Sequence, residues 1–106
     1  MTMSFLSTIF GSNQADNNKL NELLLAGAIL IDVRSSSEFK SGSVKGAINI
    51  PVIALADNID KIIRYNKPII TFCASGARSA QATKILNTQG LVCENAGTWQ
   101  KLNQLI

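Results

Sequence analysis

A chain of 106 residues with 46% hydrophobic and 16% charged side chains can bury one core but not two, which excludes a disordered chain and a multidomain one. Its net charge of +3 comes from ten scattered basic residues, so the clustered footprint of a nucleic-acid binder is absent and no such partner is expected. There is no histidine, which excludes Cys-His and Ser-His-Asp catalysis, and two cysteines without a C-x-x-C spacing argue against a zinc site or a disulfide framework. No metal and no cofactor is therefore expected, and the cysteine usage points to a reducing, cytoplasmic compartment.

In chain order, "MTMSFLSTIFGSNQA" holds an apolar stretch interrupted by Ser7 and Thr8 and preceded by no Lys or Arg. That is a weak secretory signal and far short of a membrane span, so residues 1–16 are expected to be a tail or short docking helix ahead of a domain at 17–106. Asp16, Asn17 and Asn18 offer N-cap oxygens to a helix with Leu20, Leu23 and Leu24 on one face, stopped by Gly27. "AILIDV" (Ala28 to Val33) is a continuous apolar run of strand length. "SSSEFKSG" predicts a short capped helix ending at Gly42, and "AINI" (Ala47 to Ile50) a second strand closed by Pro51. "VIALADNIDKIIRY" has near-helical spacing of Ile53, Ala56, Ile59, Ile62 and Ile63, and "PIITF" (Pro68 to Phe72) predicts a third strand. "ARSAQATKILNTQG" predicts a helix stopped by Gly90, "LVCE" a short fourth strand, and "TWQKLNQLI" a closing helix.

Strands alternating with helices predict an α/β fold: a three-layer sandwich with a mainly parallel central sheet and helices on both faces. The carboxyl ends of parallel strands share one edge, where ligands bind. That rule gathers Asp32, Cys73, and Glu94 with Asn95 at a single edge.

Cys73 is followed by Ala74, Ser75, Gly76, Ala77, Arg78 and Ser79, a tight turn into a helix. Such a turn aims backbone N–H groups at one point and sits at the positive end of the helix dipole, so it favours a thiolate over a thiol. Gly76 can take a left-handed angle or let the chain pass close to the sulfur; Ala74 and Ala77 keep the rim small, and Arg78 adds a positive charge. A mostly ionised Cys73 near neutral pH follows. Cys93 has no such turn behind it and is expected to be a buried strand residue, with a resolving-thiol role as the alternative. Asp32 is expected to hydrogen-bond the loop backbone, with Arg34 beside it in loop support; Arg34 and Glu38, four apart, can also form a surface ion pair. Trp99 is expected to be a core anchor.

"CASGARS" resembles the active-site loop of rhodanese-type sulfurtransferases. "LIDVRSSSEFKSGSVKGAINIP" is similar to the family's D-V-R-x-x-x-E-[FY]-x-x-G-H-I-x-G-A-x-x-[IL]-P signature, and "ENAGTWQKL" to its closing Gly-Gly-x-x-x-W stretch. The resemblance spans residues 17 to 105 and implies a single-domain sulfurtransferase with the three-layer fold. Cys73 would take sulfane sulfur from thiosulfate or a persulfide donor, small molecule or protein, and pass it to cyanide or a thiol, with Ala74 to Ser79 binding substrate and the protein acting as a monomer. Two departures matter. Ser43 replaces the family's histidine, and Ala74 and Ser75 stand where thiosulfate users carry basic residues, which favours a persulfide donor. Alternatives are a non-catalytic rhodanese-like carrier and a cysteine phosphatase. Phosphatases place five residues between Cys and Arg, whereas four lie here, and the smaller bowl suits one sulfur atom.

Overall fold

A computed structural model describes residues 17–106; the expectation for residues 1–16, including an N-cap at Asp16, lies outside them. Helix α1 covers residues 17–25 and hands over through Gly27 to strand β1 (Ile29–Asp32). Helix α2 (Ser36–Ser41) starts with a capping box: the Ser35 hydroxyl accepts from Glu38 N–H, and the Glu38 carboxylate accepts from Ser35 N–H. Strand β2 (Ile48–Asn49), helix α3 (Ile59–Tyr65), strand β3 (Ile69–Cys73), helix α4 (Ala77–Thr88), strand β4 (Cys93–Thr98) and helix α5 (Trp99–Leu105) follow.

The strands pair in the order β2-β1-β3-β4, every pair parallel. Parallel neighbours need long crossovers, which the helices supply, and both sheet faces are thereby covered. Because side chains alternate along a strand, Ile69 and Cys73 of β3 join Ile31, Val33, Leu55, Ile62, Ala82 and Leu86 in a core under α3 and α4. Ile70 and Phe72 face the other way, onto Leu20 of α1, Leu102 of α5, Val44 and Ala96. The expected α/β three-layer sandwich is the fold observed. No helix among the described residues is long and apolar enough to cross a membrane.

Two elements depart from expectation. After Pro51 there is no single helix: two short 3-10 turns, Val52–Ala54 and Ala56–Asn58, precede α3, and Asn58 donates its side-chain amide to the Ala54 carbonyl at 2.8 Å. The fourth strand starts later than "LVCE" and runs through the polar "ENAGT". Leu91 and Val92 lead into it, and Cys93 is the residue that registers with Ile69.

Candidate active site

Strand β3 ends on Cys73 and α4 begins at Ala77, so only Ala74, Ser75 and Gly76 make the turn. Gly76 is the N-cap of α4 with φ +97°, and its N–H donates to Cys73 Sγ at 3.0 Å. A Cβ at this position would lie 3.3 Å from Gly97 Cα on β4, so both the backbone angle and the close approach of the β4 backbone favour glycine. Ser79, buried in the first turn of α4, brings its Oγ to 3.4 Å from the sulfur.

Burial pushes the Cys73 thiol up, but the Ser79 hydroxyl and the N–H groups of Ser79, Ser75 and Gly76 favour the anion more strongly. The thiol therefore comes down from 9.0 to about 7. Cys73 is buried, and Ala74, Ser75 and Ala77 of the turn that follows it are exposed.

Arg78 is not a free cation. It lies in the first turn of α4 with Nη1 and Nη2 donating to the two Glu38 carboxylate oxygens at 2.8 and 3.1 Å. That pair, with the Ser35 cap, holds the Glu38 carboxyl down at about 2. The expected Arg34–Glu38 surface pair is thus replaced: Glu38 reaches across to α4, and Arg34 turns inward.

Arg34 and Asp32 form a buried ion pair. Asp32 has no exposed surface, and it accepts from Arg34 Nη2 at 2.7 Å, from Nε at 3.0 and 3.1 Å, and from the Arg34 backbone N–H at 2.9 Å. Ser43 Oγ donates to the same carboxylate at 2.8 Å. Arg34 Nη2 also donates to the Gly42 carbonyl at 2.6 Å, and its guanidinium lies 5.4 Å from the Trp99 ring centroid. Asp32 makes no hydrogen bond to the 74–79 backbone among the described residues, which corrects the expected direct loop support. Its acceptor positions are filled by Arg34 and Ser43, and the cluster instead pins the end of β1 to the turn at Gly42 and to α5. Trp99 packs against the core as expected and also roofs Arg34.

From β4, Asn95 reaches the loop. Its Oδ1 accepts from Ser79 Oγ at 2.6 Å and from Gly97 N–H at 2.8 Å, while its Nδ2 donates to the Gly76 carbonyl at 3.1 Å. Sequence reasoning gathered Asn95 to this edge without giving it a task. The signal was an Asn two residues before a glycine, the pattern of an Asx turn. Glu94, expected at the same edge, sits early in β4 and pairs with Lys19 of α1 at 2.9 Å. Cys93 registers with Ile69, four residues back from Cys73, which at about 3.3 Å per residue separates the thiols by about 13 Å. A disulfide cannot span that. Burial also pushes the Cys93 thiol up to about 11, so it is a buried strand residue and not a partner thiol.

Comparison with known proteins agrees with the fold. The family described as "Rhodanese-like domain" matches residues 16–104. The protein YqhL of Bacillus subtilis (strain 168) is 40% identical over 63 residues, covering 59% of this chain and 49% of its own length, so the chain spans about half of that relative. The thiosulfate:glutathione sulfurtransferase of Homo sapiens is 34% identical over 86 residues, covering 68% of this chain and 75% of its own. The solved human single-domain sulfurtransferase TSTD1 superimposes with a TM-score of 0.65 at 32% identity, covering 82% of this chain and 91% of that one.

Proposed function

The chain belongs to the rhodanese-like domain family, and on that premise we propose that it is a sulfurtransferase carrying sulfane sulfur as a persulfide on Cys73. The observation that supports this most is the sulfur's own setting: Gly76 N–H at 3.0 Å, Ser79 Oγ at 3.4 Å and a thiol brought down to about 7. Donors fixed around a sulfur serve thiolate and persulfide alike, because both are sulfur-centred monoanions.

In the first half-reaction the Cys73 thiolate attacks the outer sulfur of the donor. A new S–S bond forms, the donor's bond to that sulfur breaks, and the leaving group takes the electron pair: sulfite from thiosulfate, a thiolate from a persulfide. In the second, cyanide or a thiolate attacks the terminal sulfur of Cys–S–S⁻ and the Cys73 thiolate leaves. No redox cofactor is needed for either step.

The donor is proposed to be a persulfide, free or carried on a protein, in preference to thiosulfate. Ala74 and Ser75 bring no charge to the rim, and Arg78 is engaged by Glu38 at 2.8 and 3.1 Å, so little positive charge is left for a dianion. The test is transfer activity in Cys73→Ser and Cys93→Ser. Loss in the first with retention in the second is expected; equal losses would overturn the single-thiol scheme.

A further inference from the structure

Ser79 has one hydroxyl proton and two takers for it. Asn95 Oδ1 lies 2.6 Å away and Cys73 Sγ 3.4 Å away. The amide orientation of Asn95 is fixed from outside, because Gly97 N–H can only donate, at 2.8 Å, and the Gly76 carbonyl can only accept, at 3.1 Å. The atom facing Ser79 is therefore the amide oxygen, and the hydroxyl must be the donor in that contact. With the proton on that side, Ser79 shows Cys73 a lone pair, which accepts from a thiol S–H and opposes a thiolate. Turned toward the sulfur, the same proton stabilises the anion, and Asn95 Oδ1 keeps Gly97 N–H as its remaining partner.

We propose that Asn95 is a positioning residue that sets the acidity of Cys73 by competing with the sulfur for the Ser79 proton. Ser79 is then a two-position switch whose setting follows the charge on the sulfur. Toward Asn95 it keeps the resting thiol protonated. Toward Cys73 it supports the thiolate and, after transfer, the persulfide. Asn95 has a second task in the same place, holding the loop through the Gly76 carbonyl, so its two contributions to acidity oppose one another. The inference rests on Cys73 being the sulfur carrier, but it concerns thiol acidity and can be tested without any sulfur donor.

The charged groups around Cys73 are Arg78 of α4 with its partner Glu38 of α2, and the Asp32–Arg34 pair at the end of β1. On β4, Glu94 is held by Lys19 of α1. None of these hydrogen-bonds Ser79 or Asn95 among the described residues, so they form a constant background across the variants.

The test is iodoacetamide alkylation rate against pH for Asn95→Ala, Ser79→Ala and the double variant, each in a Cys93→Ser background and each checked by thermal melting. Ser79→Ala is expected to move the inflection up by about one unit, a hydrogen bond to an anion being lost. Asn95→Ala is expected to move it down by about half a unit, the released proton outweighing the loosened loop. The double variant is expected to lie at or slightly above Ser79→Ala, because only the loosened loop is left to act. An upward or absent shift in Asn95→Ala, or a downward shift by Asn95→Ala that persists without the Ser79 hydroxyl, would overturn the proposal and leave Asn95 as a loop clamp. If Asn95→Ala does not fold, Asn95→Asp decides the matter: it keeps the acceptor, loses the Gly76 contact and adds a negative charge that raises the thiol inflection in either background and also draws the Ser79 proton more strongly. Its upward shift must be larger with Ser79 intact than in the Ser79→Ala background; equal shifts would overturn the proposal. Failure of sulfur transfer in the wild type would sink the functional reading and leave this result standing.

Discussion

Substituting Gly76 by alanine perturbs the fold and the site through the same atom. The φ of +97° is one that L-residues adopt at a cost of about 1–2 kcal/mol. The added Cβ would meet Gly97 Cα at 3.3 Å, and since the neighbour is backbone it can relieve the contact only by moving β4 away from the loop. Overpacking of that kind adds about 1 kcal/mol, giving a total of about 2–3 kcal/mol. For a domain of this size each kcal/mol lowers Tm by about 4–8 °C, so a drop of about 10–20 °C is expected. Any relaxation also shifts the Gly76 N–H from its 3.0 Å contact with Sγ and strains the Asn95 bond to the Gly76 carbonyl. The thiol inflection should accordingly rise. Calorimetry reads the first effect and alkylation against pH the second. A Gly76→Ala variant that melts within about 3 °C of wild type with an unmoved inflection would refute the argument that this turn is built around a left-handed glycine.

Four further outcomes follow from the site. Alkylation and sulfur transfer should rise through pH about 7 and level off above it, since Cys73 is brought down to about 7; an inflection near 9.0 would contradict the hydrogen-bond account. Because the folded thiol is the more acidic one, the same group should add stability as pH rises from about 7 to 9.0 and lose it on the way back down. Glu38→Gln, which retains the capping box, should release Arg78 and lower the KM for thiosulfate by about three-fold, the pair being exposed enough for its worth to be modest, with a smaller change for a persulfide donor. Arg34→Met leaves the Asp32 carboxylate buried without a cation and should cost about 3–5 kcal/mol in chemical denaturation; adding Asp32→Leu should recover part of it.

The layered fold and the Cys73 turn were legible because they rest on local signals: apolar runs of strand length, capping residues, and glycine at the mouth of a helix. What was not legible is long-range. Arg34 and Glu38 are i, i+4 neighbours by spacing, yet each found a stronger partner, Asp32 inside and Arg78 on α4, and the Arg78–Glu38 contact joins residues forty apart. β4 was misplaced because "LVC" looks more like a strand than "ENAGT" does, and Asn and Gly are poor strand formers. Parallel pairing to β3 and the Asx turn at Asn95 override that preference, and they bring to the loop a side chain that bonds both its carbonyl and its serine. The helix expected after Pro51 is broken into two 3-10 turns, and Asn58, with a non-helical φ of −114°, caps the break with its amide donating to the Ala54 carbonyl.

The central claim is that Cys73 holds the transferred sulfur. Intact-mass measurement of the protein after exposure to a persulfide donor, followed by peptide mapping, tests it directly. The account predicts one added sulfur atom, located on Cys73, removed by a thiol reductant or by cyanide and absent from Cys73→Ser. An unmodified wild type, or sulfur found on Cys93 instead, would contradict it.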